Sequence, residues 1–306
     1  MSVSPNGRQL PIAHGRQHAV IVELGAGLRS YGVGNRDIVD GYRHDEVCDG
    51  GRGQLLLPWP NRIAGGRYFF GGADHQLPVN EPRTGCAIHG LTRALQWQVA
   101  GTTGNSVLLE LDLQPSEGYP FTLHLGVAYR IDSSGLSARV TATNRGADPC
   151  PYGAGAHPYL RIADGAPIDT ALLHVPADAT LDADDRGIPT GTVRPVDGSD
   201  HDFRMARTIG DIQLDTAFTR LRPDSDARTR ISLTTQDGEG ASIWMDQTHQ
   251  YAMLYSGDTL GDESRRRRGL AIEPMTCAPD AFNSGAGLII LQPGEQHASV
   301  WGITPH

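Results

Sequence analysis

The chain has 306 residues, of which 38 are glycine and 20 proline, and carries a formal net charge of −9. Frequent glycine and proline argue against long helices, and the acidic balance disfavours nucleic acid as a partner, because phosphate neutralisation needs clustered cations. All 26 basic residues are arginine, so chemistry through a lysine Schiff base is excluded.

Cys48, Cys86, Cys150 and Cys277 are widely spaced and form no CxxC pair. That pattern suits free thiols in a reducing cytoplasm better than a zinc cage or a redox motif. Residues 1–14 have neither a basic start nor an apolar run and are not expected to be a signal peptide. No apolar stretch approaches the roughly 20 residues that cross a membrane, so a soluble cytoplasmic protein is expected. Short β-like runs separated by turn signals recur throughout, and none of ten or more residues has helical periodicity. The expected fold class is all-β, a sandwich or barrel, with residues 1–306 as one domain, since no linker, repeat or low-complexity segment divides them.

In chain order, residues 19–24 read as a strand. Gly25, Ala26 and Gly27 after it look like a dinucleotide-binding turn but lack its third glycine and its helix, so strand punctuation is the better reading. In residues 54–63 two prolines stiffen a turn around Trp59, and Asn61 and Arg62 emerge from it among apolar neighbours. Arg62 offers a rigid fork of donors, for a ligand oxygen or for loop carbonyls. His89 ends a short apolar run beside Gly90. Residues 152–160, read as a strand, place Gly153, Gly155, His157 and Tyr159 on one face, either opening a groove beside the imidazole or marking a bulge.

Residues 181–187 hint at a calcium loop, but Arg186 stands at a ligand position and the closing glutamate is missing. Residues 188–191 and 202–204 read as turns flanking a long loop. Asp215 then falls inside an alternating segment, and residues 251–257 form a strand entering a turn. The four arginines 265–268 are most simply a solvated loop. Leu270, Ala271 and Ile272 read as a strand that puts Glu273 on the face opposite Leu270 and Ile272, with Pro274 at a strand end or bulge. Residues 288–295 and 299–303 look like closing sandwich strands.

Taken together, these residues resemble the aldose 1-epimerase (galactose mutarotase) family. The matching pieces run in the family's order: Asn61, Arg62 and Ile63 with Gly66, Arg67 and Tyr68; residues 77–80; His89 and Gly90; His157, Pro158 and Tyr159. Residues 189–191, 202–204, Leu214 with Asp215, residues 255–257, Glu273 with Pro274, residues 279–283 and residues 291–295 complete them. The resemblance implies an antiparallel β-supersandwich with an open sugar cleft and no metal or organic cofactor. It implies Glu273 as general base, His157 as general acid, and Arg62, His89, Asp215 and Asn61 as groups that orient the sugar. Two positions depart from the pattern: Leu91 follows Gly90 where many members have a second glycine, and Met253 stands where the vertebrate galactose enzymes carry a glutamine.

Interconverting the anomers of a pyranose requires a base at the anomeric hydroxyl and an acid at the ring oxygen, tasks that suit a carboxylate and an imidazolium. His89 competes with His157 for the acid role. The expected partner is a small aldohexose. The alternatives are a hexose-6-phosphate 1-epimerase, with Arg52, Arg83 or residues 265–268 holding the phosphate, and a non-catalytic sugar-binding protein on the same fold.

Overall fold

In the computed structural model, residues 4–162 and 165–306 are described. Two large antiparallel sheets dominate them. One has nine strands, in the order Gln98–Thr102, Ser106–Leu113, Leu123–Asp132, Gly135–Asn144, Gln296–Pro305, Gly240–Met245, Thr229–Thr234, Leu172–His174 and Arg207–Thr208. The other has eight, running Pro189–Pro195, Ala177–Ala183, Asp215–Leu221, Tyr251–Tyr255, Leu270–Met275, Gly155–Ala156 and Leu55–Leu56, with Tyr159–Leu160 pairing beside Gly155–Ala156 on Leu270–Met275. A four-stranded sheet precedes them, built from Gln9–His14, Gln17–Val22, Leu28–Val33 and Arg36–Asp37. The α-helix among the described residues is the single turn Ala281–Ser284, as the glycine and proline content leads one to expect.

Strand alternation places the core. Leu125, Val127, Tyr129 and Ile131 point inward from one large sheet, and Phe218, Leu254, Leu270 and Ile272 from the other, all within one buried apolar cluster. Glu273 therefore lies on the outer face of the eight-stranded sheet, opposite Leu270 and Ile272. Ala217, Met253 and Met275 form a small apolar cluster of their own there.

Several local expectations change. Pro274 lies inside the Leu270–Met275 strand, not at its end. It is tolerated because the neighbouring ladder is itself interrupted: Gly155 pairs with Met275 and Tyr159 with Ala271, and between them Ile272 N–H donates to Pro158 O at 3.1 Å. Residues 152–160 are broken pieces of strand in two sheets. The glycines there do not open a groove: a Cβ on Gly155 would come within 2.8 Å of Pro60 Cβ, and one on Gly153 would strike Cys277 and Pro60. Residues 189–191, read as part of a turn, instead begin the strand Pro189–Pro195, which forms a hairpin with Ala177–Ala183, its turn closed by Asp184 accepting from the N–H groups of Arg186 and Ile188 at 2.9 and 3.0 Å; the expected long loop starts after Pro195. Ile289–Leu291 pairs only with Cys150–Tyr152, outside the large sheets, whereas Gln296–Pro305 is central to the nine-stranded one.

The arginine run is a solvated loop only at Arg266, which is exposed. Arg265 donates to Glu46 at 2.8 Å and to Gly41 O at 3.0 Å, Arg268 to Asp40 at 2.8 Å, and Arg267 to Asp258 at 3.0 Å and to Asp169. Arg52, fully buried, is ion-paired with Asp40 at 3.2 Å. These cations are engaged in joining loops. The four cysteines are free thiols, and among the described residues no helix is long and apolar enough to cross a membrane.

Candidate active site

A cleft of about 310 Å³ opens on the outer face of the eight-stranded sheet. Glu273, His157, His89, Arg62, Asn61 and Asp215, all singled out in the sequence, line it together. Three supports carry them. The strand Leu270–Met275 presents Glu273. The interrupted strand beside it presents His157, whose position continues the register so as to face Glu273; His157 Nε2 lies 3.3 Å from Glu273 Oε1. The short ladder of Arg62–Ile63 with Ala87–Ile88 carries Asn61 and His89 at its end. Both sit in the left-handed region, at φ 54° and 63°, an uncommon conformation for side-chain-bearing residues that recurs at binding sites. Asn61 N–H donates to His89 Nδ1 at 3.2 Å, and His89 N–H returns a bond to Asn61 O at 2.9 Å.

These bonds set protonation. Because His89 Nδ1 accepts, its proton resides on Nε2, and the ring is a neutral donor. Burial, with His157, Arg93 and Arg62 nearby, holds the His89 pKa well below its ordinary value, in agreement with that tautomer. His89, His157 and Glu273 bring potential ligand atoms within 4.8 Å of one another, a donor set also found around catalytic zinc. The fit fails at His89, whose lone pair is spent on Asn61 and whose remaining nitrogen carries hydrogen.

Glu273 and His157 are only 2% and 5% exposed. Burial, reinforced by Asp215 and opposed by Arg62, pushes the Glu273 carboxyl well above the usual range. Burial, with Arg93 and Arg52, pushes the His157 imidazole down to about 3. Burial thus favours the proton on Glu273 over the imidazole of His157, where the sequence led us to expect an imidazolium near neutrality. Glu273 Oε2 and His157 Nδ1 are buried without a hydrogen-bond partner among the described residues.

His157 stacks on Tyr159 with ring centroids 5.0 Å apart and planes 16° from parallel, and the Arg52 guanidinium lies 4.7 Å from the Tyr159 ring centroid. The Tyr159 hydroxyl donates to Gly50 O at 2.9 Å, anchoring a loop whose next residue, Gly51, packs on the imidazole. Asp215 stands exposed at the mouth of the cleft, its strand paired so that it faces Tyr255. The crowding cleft wall raises its pKa, and Arg62 opposes that rise.

Arg62 is not the free fork its sequence setting allows: it is clamped by Glu81, a cleft residue that sequence reasoning missed. The matched segment stopped at Asn80, one residue short. Gly50, Gly51 and Arg93 were missed as well, and no local pattern marks them. Asp280, by contrast, is structural: its N–H donates to Arg62 O at 2.7 Å and its carboxylate accepts from Ala64 N–H at 2.9 Å, holding the Arg62 strand in place.

The profile of the aldose 1-epimerase family matches residues 8–304. The chain is 36% identical over 299 residues to the uncharacterized protein YihR of Escherichia coli, covering 97% of this chain and 93% of that one. It is 31% identical over 259 residues to the galactose mutarotase of Rattus norvegicus, covering 78% of this chain and 73% of that one. Among solved structures, the GalM/aldose epimerase homologue from C. elegans superposes with a TM-score of 0.85 at 20% identity, covering 97% of this chain and 99% of its own. With the sandwich fold, the cleft and a family match spanning nearly the whole sequence, this chain belongs to the aldose 1-epimerase family.

Proposed function

We propose that the protein is a mutarotase that interconverts the α and β anomers of a free aldohexose by acid–base ring opening and closure. The observation that carries this reading is the Glu273–His157 pair, 3.3 Å apart at the floor of a sugar-sized cleft. Moving the pair's single proton from Glu273 to His157 yields the carboxylate and imidazolium the reaction needs, with no proton taken from solvent. Glu273 then accepts the anomeric hydroxyl proton while His157 donates to the ring oxygen. The C1–O5 bond breaks, the aldehyde carbon rotates about its bond to C2, and reclosure returns both protons. His89 donates from Nε2, Arg62 donates, and Asp215 accepts, which matches the mixed needs of ring hydroxyls. Asn61 acts through its backbone, fixing the His89 tautomer.

The test is anomer equilibration of a panel of free aldoses followed by NMR, with and without protein. No acceleration for any aldose would exclude the reading. A non-catalytic sugar-binding protein would bind in the same assay without accelerating.

A second reading, a hexose-6-phosphate 1-epimerase, is favoured by Arg83 and Arg93. Both line the cleft, and neither makes an ion pair among the described residues. The other arginines considered for that role, Arg52 and residues 265–268, are engaged elsewhere and do not line the cleft. Competition between glucose and glucose 6-phosphate separates the two readings.

A further inference from the structure

Of the three guanidinium nitrogens of Arg62, two are taken. Nε and Nη2 donate to the two carboxylate oxygens of Glu81 at 2.6 and 2.8 Å, a fork-to-fork pair that sets the plane of the guanidinium as well as its position. Nη1 has no hydrogen-bond partner among the described residues. It lies against Gly187, where an added Cβ would sit 2.5 Å from it, so the tip of the 177–195 hairpin also bounds the arginine.

Glu81 is itself held. Its N–H donates to Cys86 O at 3.1 Å, and the Thr84 hydroxyl donates to its carboxylate. Asn80 beside it exchanges two hydrogen bonds with Ile88, at 2.7 and 3.0 Å, and Ile88 is the residue before His89. One turn therefore ties together the carriers of Arg62 and His89. Burial alone would raise the Glu81 pKa, but the bonds from Arg62 and Thr84 outweigh it and keep the carboxyl ionised. The pairing also has an electrostatic consequence. Arg62 favours ionisation of Glu273; by Coulomb's law a carboxylate bonded to that guanidinium opposes its field.

We propose that Glu81 is a positioning residue for the reaction: it orients Arg62 so that Nη1 is the edge offered to a sugar hydroxyl, and it masks the arginine's charge from Glu273. This rests on the epimerase reading above. Without Glu81 the arginine would be a mobile, unmasked cation beside the proton-transfer pair.

The test is Glu81→Gln, with anomerisation followed by polarimetry across pH. KM should rise about tenfold with a smaller change in kcat, because the guanidinium loses its fixed geometry. The alkaline limb of kcat/KM, where the pair loses its one proton, should move down by about one pH unit, since an unmasked arginine favours the Glu273 carboxylate. Glu81→Asp, which keeps the charge but shortens the reach, should restore the limb while leaving KM raised. A carboxylate with a purely structural role would lower Tm and leave the limb where it is. That result, or a Glu81→Gln enzyme with wild-type KM and limb, overturns the proposal. Titration of the Glu273 carboxyl by ¹³C NMR, assigned by its loss in Glu273→Gln, reads the same shift without turnover. A wild-type chain inactive on every aldose would defeat the functional reading, while this titration still decides whether Glu81 governs Glu273.

Discussion

On the proposed mechanism the chemistry turns on one proton shared by Glu273 and His157, and its location sets the pH behaviour. A second proton must go onto an imidazole depressed to about 3, and the only proton leaves a carboxyl raised well above its usual range. The expected profile of kcat/KM is a broad plateau through neutrality, with activity persisting well below the ordinary histidine pKa. A sharp acid limb near 6.5 would show His157 titrating as an ordinary histidine. Glu273→Gln should reduce turnover by about 10² to 10⁴ while sugar binding persists. His157→Gln should be comparably severe, and His89→Gln should act mainly on KM; the reverse order, read by polarimetry, would exchange the two histidines' roles. Glu273 also bears on stability. Below the ordinary carboxyl value of 4.5, folded and unfolded chains are both protonated; above it the unfolded chain releases a proton that the native one keeps, so stability falls as pH rises toward the elevated native value. Glu273→Gln should therefore melt at higher temperature than wild type at neutral pH, by about 1.4 kcal/mol for each unit of elevation, with the gap closing in acid. Equal melting curves at neutral and acid pH would contradict that elevation.

At the scale of elements, the site depends on loops pressed against interrupted strands. Gly51 has φ 70°, and a Cβ there would meet His157 Cδ2 at 3.0 Å. Gly51→Ala combines a left-handed penalty of about 1 to 2 kcal/mol with displacement of the imidazole, and should lower kcat more than KM is raised. An unchanged kcat would mean that the loop does not support the ring. The Arg52–Tyr159–His157 stack sits behind the same imidazole, which explains how a site residue on a broken strand keeps a defined orientation. The resemblance placed Arg62 of the Arg62–Ile63 and Ala87–Ile88 ladder in the site, with Asn61 and His89 at the ladder's end. Its twin left-handed ends at Asn61 and His89 were not legible, because positive φ in residues other than glycine is imposed by tertiary contacts.

At the scale of the molecule, the two large sheets share one apolar cluster, in which Leu254 and Ile272 of one sheet join Leu125 and Val127 of the other. We propose that they fold as one unit over the described residues. Thermal unfolding followed by near-UV and far-UV signals should give coincident transitions, and Leu254→Ala should lower both together, with a cost of about 2 to 5 kcal/mol. Separate transitions would divide the chain into independent domains.

From composition and pattern alone came the all-β class, the absence of lysine chemistry and the face on which Glu273 lies; the six residues that converge on the cleft came from the resemblance to a family, motif by motif. Alternation along a strand and the residue types of a motif are local properties, and local properties can be read in order. Which partner each charge meets is not local. Arg62 and Glu81 are 19 positions apart, and Arg268 and Asp40 are 228 apart, so the clamp on Arg62 and the engagement of the arginine run emerged only when the sheets closed. The same holds for the protonation of Glu273 and His157: removal of water by burial, a property of the assembled fold, outweighs the intrinsic acidity of either side chain.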